Sequence, residues 1–317
     1  MLKRPPLVQR MKTPFNSIAL VGRHTDERVA DSMRLLARHL LRRGLAVLVD
    51  EHIDGQIFPE GVTRVPESEF AAQARLVIAI GGDGTMLYAA RLVARHDVPL
   101  LGVNRGRLGF LTDVSPDDML TRLDEVLSGK YAEDRRTLLE ARLVRVGRED
   151  VMLTALNDVV LQKWETGRML DFETWIDGRY VNTHGGDGLV VATATGSTAY
   201  ALSCGGPIVQ PDLGVLVLVP ICPHTLSDRP VVVPSGARIE VRLSERPDTR
   251  AQVTCDGEVL GELEPGDRLK VIPSTHGVTL LHPPGHDYYR LLRSKLHWGR
   301  GSYDGSAPGD ALPPPER

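Results

Sequence analysis

A chain of 317 residues with 42% hydrophobic and 25% charged side chains has room for two ordinary domains and the balance of a globular protein. Its formal net charge of −3, from 38 basic and 41 acidic residues, offers no broad basic surface, so no nucleic-acid partner is expected. Three widely spaced cysteines, Cys204, Cys222 and Cys255, form no CxxC pair, which argues against a disulfide framework or structural zinc and suits a reducing, cytoplasmic setting.

Residues 1–16 read as a flexible tail, basic at the start but with no apolar segment behind it of the kind a signal peptide needs. Ser17 to Val21 is a short apolar run. Val29, Met33, Leu36 and Leu40 then recur at helical spacing, and Gly44 ends the pattern. Leu45–Val49 and Arg75–Ile80 read as strands, Met86–Ala94 as a helix and Pro99–Val103 as another strand. Ser115, Pro116 and Asp118 mark a further helix start. Alternating strands and helices predict an α/β domain over 17–138 with a parallel sheet covered on both faces.

From Leu139 the pattern changes to short β-rich runs: Leu139–Val146, Val151–Gln162, Phe172–Ile176, Tyr180–Asn182, Leu189–Thr193, Val215–Val219, Arg238–Leu243, Gln252–Cys255 and Arg268–Ile272. Asp177-Gly178 and Asp256-Gly257 sit between strand-like flanks as hairpin turns. An all-β sandwich over 139–284 is expected. The longest apolar stretch, Leu213 to Cys222, is interrupted by Pro220 and falls short of the ~20 residues of a membrane helix. Asp287–Trp298 returns to helical spacing, within a C-terminal helix at 285–300, and the Gly/Pro/Ser-rich stretch 301–317 reads as disordered.

The most informative segment runs from RLVIAI through Gly81-Gly82-Asp83-Gly84-Thr85 into a helix. Ligands of open α/β sheets bind at the carboxyl ends of strands, glycines let a phosphate approach closely, and a helix N-terminus favours an anion. A carboxylate in such a turn repels phosphate unless it ligates Mg²⁺ or takes a proton from an attacking hydroxyl. The alternative is that Asp83 or Thr85 merely caps the helix. No Walker A pattern is present. In ALNDVVL, Asn157 and Asp158 interrupt an apolar run; an amide beside a carboxylate can hydrogen-bond both hydroxyls of a ribose, or the pair is an edge irregularity. A second Gly-Gly-Asp-Gly, Gly185 to Gly188, is followed by a strand and Thr195-Gly196-Ser197-Thr198, more small polar residues than one helix cap needs.

With GGDGTML (81–87), GVNRGRLGFLTD (102–113), LNDVV (156–160), DGLVVATATGSTAYALSCGGPI (187–208) and PHTLSDRPVV (223–232) in this order, the chain resembles the NAD kinase family from Ser17 to Trp298. The resemblance implies a Rossmann-like α/β domain and a β-sandwich domain, with the last helix returning to the first. It implies ATP-dependent phosphorylation of the adenosine-ribose 2′-hydroxyl of NAD to give NADP, with a divalent cation such as Mg²⁺. NAD would lie between the domains of a homodimer or homotetramer, with no membrane partner. By position, Asp83 matches the proton acceptor, Gly84 lines the NAD site, and Asn157 and Asp158 match the ribose binders. Arg168, Gly185, Asp187 and the run Thr198, Ala199, Tyr200, Ala201, Leu202 and Ser203 match further NAD-contacting positions. His224 matches a motif residue near the site, or is a satisfied turn histidine.

Departures from the family are Asp158 in place of a usual glutamate, Ala194 in place of proline, and Glu258 where glutamine is frequent, which leaves Glu258 out of the expected site. Lipid kinases share the GGDGT turn, but NRGRLGF stands where their GTGND-like signature would follow. A catalytically idle nucleotide sensor is disfavoured by the presence of both Asp83 and Asp158. A phosphofructokinase-like enzyme is disfavoured by an all-β second half.

Overall fold

The computed structural model describes residues 15–54, 57–106, 109–112, 114–164, 169–244 and 249–296. Arg168 of the expected site, the expected N-terminal tail apart from Phe15 and Asn16, and the tail 301–317 lie outside the described residues. The chain divides after Pro284 into two compact units.

The first unit opens with β1 (Ser17–Gly22), α1 (Glu27–Arg42), β2 (Ala46–Asp50), β3 (Thr63–Val65), α2 (Phe70–Gln73), β4 (Leu76–Gly81), α3 (Asp83–Val93), β5 (Leu100–Asn104) and α4 (Met119–Leu127). Strands β5, β4, β1, β2 and β3 lie side by side in that order, all parallel. Successive strand residues face opposite ways, and both faces are apolar because both are covered. Ile18, Leu20, Ile78 and Ile80 pack under Met33, Leu36 and Leu40 of α1 and Leu123 of α4. Ala19, Val21, Val77 and Ala79 pack under Met86, Ala89 and Val93 of α3 and Phe70 of α2. Asp26 caps α1 by accepting the Arg28 N–H at 3.0 Å. At α4 the expected serine cap is displaced: Ser115 Oγ accepts the Asp118 N–H at 3.2 Å in a turn of its own, and the helix proper begins at Met119.

The β-rich half contains β6 (Ala132–Val144), β7 (Val151–Ala155), β8 (Asp158–Lys163), β9 (Leu170–Ile176), β10 (Arg179–Gly186), β11 (Gly188–Thr193), α5 (Tyr200–Ser203), β12 (Val215–Ile221), β13 (Val231–Pro234), β14 (Ile239–Leu243), β15 (Ala251–Cys255), β16 (Glu258–Leu263) and β17 (Arg268–His282). The order β13-β12-β11-β8-β15-β16 forms an antiparallel six-stranded sheet. Its Val159, Leu161, Leu189, Val191 and Leu216 share a core with Leu139, Phe172, Ile239, Val241 and Val271 of the other sheet, which makes the sandwich. On its outer side Val190, Ala192, Val217 and Val219 are covered by Ala194, Ala201 and Val209, so β11 is buried on both faces.

The two halves share one 11-stranded sheet. β6 begins at Ala132 and passes Leu139 without a break, antiparallel to β17 from Arg268↔Val144 to His282↔Ala132. Near its end β17 also lies parallel to β5, with Leu280 beside Leu100. Among the described residues no helix is long and apolar enough to cross a membrane.

In the second unit the expected helix forms as α6 (Tyr288–Leu296), with Asp287 accepting the Tyr289 and Arg290 N–H groups at 2.9 and 3.2 Å.

Candidate functional site

β4 carries the chain to Gly81 at the carboxyl edge of the parallel sheet, and α3 begins at Asp83 without any side-chain cap. The Asp83 carboxylate turns away from its own helix. Oδ2 accepts the Phe110 N–H at 2.8 Å and Oδ1 the Leu111 N–H at 3.0 Å. The capping alternative therefore does not describe Asp83. A Cβ on Gly109 would lie 1.8 Å from Asp83 Oδ1, so any larger residue at 109 would push the carboxylate out of this position. The Arg105 N–H closes the junction onto the Gly81 carbonyl at 2.9 Å. Two sequence motifs thus fold onto one carboxylate. Gly84 is exposed beside it, and a side chain there would point into open space.

Leu156 is buried in the same apolar cluster as Met86 and Ala89 of α3, which brings the LND segment to that helix. Its main chain is then tied down from two sides. Asp256, at the tip of the β15–β16 hairpin with φ of 50°, accepts the N–H groups of Leu156 (2.7 Å), Asn157 (2.8 Å) and Asp158 (3.1 Å). From the other side Thr193 Oγ1 donates to the Leu156 carbonyl at 2.6 Å and accepts the Gly196 N–H at 3.1 Å. Gly196 touches so closely that a Cβ would lie 2.1 Å from the Asn157 oxygen. The TGST turn therefore rests directly on the Asn157 backbone, and buried Arg136 supports it through Thr195 Oγ1 at 3.1 Å.

The Asn157 side chain has no partner among the described residues. Asp158 is 5% exposed. Burial, then the neighbouring Asp256 charge, pushes its carboxyl up to about 7, with the Tyr200 main-chain N–H acting in the opposite sense. Asp256 is also raised by burial, opposed by its three amide donors and by Arg91. Two acceptor groups, one amide and one easily protonated acid, thus sit on a main chain held rigidly from both sides.

The GGDG of residues 185–188 meets the PHTLS segment. The His224 N–H donates to the Gly185 carbonyl at 2.9 Å, the Asp187 N–H to the Ile221 carbonyl at 2.9 Å, and Lys163 Nζ pairs with Asp187 Oδ1 at 2.6 Å. Asp228 accepts from Asn182 Nδ2 at 2.6 Å and lies 3.1 Å from His184 Nδ1, which anchors the far end of the motif. His224 itself is exposed. β8 and β11 separate this group from Asn157-Asp158, since Gly188 pairs with Gln162 at one end of the ladder and Ala192 with Asp158 at the other. Tyr200 lies between them. Its phenol is raised by burial first, then by Cys204, Cys222 and Asp187. In the run 198–203, Thr198 Oγ1 donates to the Thr195 carbonyl at 3.4 Å, Ala199 and Leu202 are half-buried, and Tyr200 and Ser203 are exposed. Ala201 is fully buried in the apolar cluster behind β11, so only its main chain could meet a ligand.

Among the described residues no group of three or more His, Cys, Asp or Glu side chains could hold a metal ion. Mg²⁺ generally binds through few carboxylates and several phosphate oxygens. Sequence reasoning missed Asp256, whose Asp-Gly signal is fully accounted for by the hairpin. It also missed Gly109, Phe110 and Leu111, whose contribution is made by main-chain atoms.

The family profile described as the ATP-NAD kinase N-terminal domain matches residues 18–131, and that of the ATP-NAD kinase C-terminal domain matches residues 156–282. The NAD kinase of Azoarcus sp. (strain BH72) is 46% identical over 289 residues, covering 91% of this chain and 98% of the relative. The crystal structure of yeast NADH kinase complexed with NADH is similar at a TM-score of 0.84 and 25% identity, over 93% of this chain and 91% of that one. An NAD kinase from Archaeoglobus fulgidus in complex with ATP is similar at a TM-score of 0.69 and 26% identity, over 89% and 98% of the two chains.

Proposed function

The chain belongs to the ATP-NAD kinase family and is a phosphotransferase that makes NADP from NAD; from that premise we propose how its residues divide the work. The nucleophile is the 2′-hydroxyl of the adenosine ribose, a weak one at neutral pH, so the reaction needs alignment, charge neutralisation and a proton acceptor. Asn157 and Asp158 hold the ribose hydroxyls. Asp83 takes the 2′-hydroxyl proton as the oxygen attacks the terminal phosphorus of ATP, ADP leaves, and NADP forms. The observation that carries this reading is the Asp83 carboxylate, fixed by the Phe110 and Leu111 amides at the carboxyl edge of the parallel sheet.

The strand order reverses between β4 and β1, and the crevice outside their carboxyl ends is where a phosphate chain is expected. The main chain of the Gly81–Gly84 turn would face that phosphate chain, and a divalent cation carried with ATP would supply charge neutralisation there. Gly84, Arg168, Gly185, Asp187 and the run 198–203 complete the NAD site in this reading. Edge strand β13 exposes Val231 and Val232, which suits assembly with further copies of the chain. Free thiols at Cys204, Cys222 and Cys255 suit a reducing compartment such as the cytoplasm.

Purified protein given MgATP and NAD should form NADP. Asp83→Asn should bind NAD within a few-fold of the unaltered chain and lose roughly 10²–10⁴ in kcat, the usual range for removing a general base. A near-normal kcat in this variant would remove Asp83 from the proton-acceptor role.

A further inference from the structure

Resting on the assignment of Asn157 and Asp158 to the ribose, we propose that Asp256 is a positioning residue for NAD: by accepting the main-chain N–H groups of Leu156, Asn157 and Asp158, it fixes the turn that presents both side chains to the acceptor ribose. A turn aimed at a ligand cannot satisfy its amides within a regular ladder, and buried N–H groups left without partners are costly. One carboxylate takes all three. Asp256 is itself well held. Its own N–H donates to the Asp158 carbonyl at 3.0 Å, and Gly257 beside it takes the left-handed φ of 81°.

The same hairpin tip reaches α3. Glu258 pairs with Arg91 at 3.1 Å, and the Arg91 charge is felt at Asp256. Arg91 lies about two helical turns beyond Asp83. The helix that carries the proton acceptor and the turn that carries the ribose binders are therefore braced against one hairpin. A shift of Asp256 moves the acceptor alcohol relative to Asp83 without touching either reacting atom.

Asp256 also adds to the effect of burial on the charge of its neighbour. The groups around the pair are Arg91 from α3, Glu258 and Cys255 from the hairpin, and Cys204 and the Tyr200 N–H from the TGSTAY side. Arg91 is the one cation among them, and it sits on the Asp256 side. Burial is the larger cause of the raised Asp158 value and the Asp256 charge adds to it, so removing that charge should lower the pH at which Asp158 ionises.

The test is Asp256→Asn. Its amide can still accept from one or two of the three N–H groups, and it carries no charge. KM for NAD should rise at least tenfold with KM for ATP within twofold, and the acid limb of kcat/KM for NAD against pH should move to lower pH. A merely structural role would leave that limb in place. A cooperatively unfolding variant with KM for NAD and acid limb both unchanged overturns the proposal, as does equal weakening towards NAD and ATP.

If Asp256→Asn does not unfold cooperatively, Asp256→Glu decides. It keeps the charge but displaces the acceptor oxygens by one methylene, so KM for NAD should rise at least threefold with the acid limb unmoved. An unchanged KM there means that the turn is not positioned by this residue. Asp158→Asn run alongside separates the two readings. An unchanged KM for NAD in that variant removes the ribose assignment itself, whereas a raised value with Asp256→Asn unaffected removes only the role of Asp256.

Discussion

Asp158 is 5% exposed at the start of β8 with Asp256 beside it, and its carboxyl ionises near 7 where an ordinary aspartate has a value of 3.8. Its folded-state value is the higher one, so between about pH 4 and 7 the folded chain holds a proton that the unfolded chain has released. The stability linked to that proton is full below the unfolded value and is lost as pH rises through the folded one. Asp158→Asn should therefore raise Tm relative to the unaltered chain, by a margin that grows from pH 5 to pH 8, as thermal scans at the two pH values would show. Asp158→Ala, which removes the acceptor altogether, should raise KM for NAD by one to two orders of magnitude, because a hydrogen bond to a charged group is worth ~1.5–3 kcal/mol. A Tm margin for Asp158→Asn that stays the same from pH 5 to pH 8 would mean that Asp158 is ionised throughout that range. At Gly185 the issue is an absent side chain. Oxidised nicotinamide is cationic and the reduced ring neutral, and in the proposed NAD site a glycine at 185 would offer neither charge nor bulk to tell them apart. We expect specificity constants for NAD and NADH within about tenfold, a gap of ~1.4 kcal/mol. Gly185 lies outside the left-handed region, and a Cβ there would sit 3.3 Å from the flexible ends of Met169 and Asp171. Gly185→Arg should thus be tolerated and should widen the gap in an assay of NADPH against NADP formation. Strong rejection of NADH by the unaltered chain would defeat the idea.

Among the elements, α3 and the 109–112 segment stand or fall together. Gly109→Ala places a methyl 1.8 Å from Asp83 Oδ1, and the carboxylate must give way. Overpacking of this kind costs about 1–3 kcal/mol, so the variant should fold, with kcat down at least tenfold and KM for ATP little changed. Steady-state kinetics with a parallel denaturation curve would decide it, and an unaltered kcat would show that Asp83 tolerates displacement. That dependence explains which parts of the site could be read from sequence. The GGDGT turn is local chemistry between a strand and a helix, and it stands where expected. The clamp on Asp83 joins a side chain to main-chain N–H groups 27 and 28 residues away, and main-chain donors leave no mark on residue type. Asp256 was hidden differently, since its turn signal was already complete without a second task. Strand limits follow the same logic. β6 starts at Ala132 rather than Leu139 because its charged first half, AEDRRT, is set by pairing with β17. β17 continues past Ile272 to His282 because the Pro273–Gly277 interruption is an irregularity in the ladder and not an end.

On the scale of the whole molecule, β17 is the strand that joins the parallel and antiparallel parts of the large sheet. It pairs with β6 along its whole length, with β14 at its start and with β5 near its end. A fragment of residues 15–131 keeps the parallel strands and their helices but leaves β5 as an uncovered, fully buried-type edge. It should bind an apolar dye and lack a cooperative calorimetric transition, whereas a sharp transition would show that the parallel half folds alone. During synthesis this arrangement sets a waiting time. The strand that closes the sheet ends at His282, some 150 residues after Tyr131. At about 5–20 residues per second the apolar edge stays open for on the order of ten seconds on every ribosome, which makes the nascent first half a natural client for a chaperone that shields strand edges.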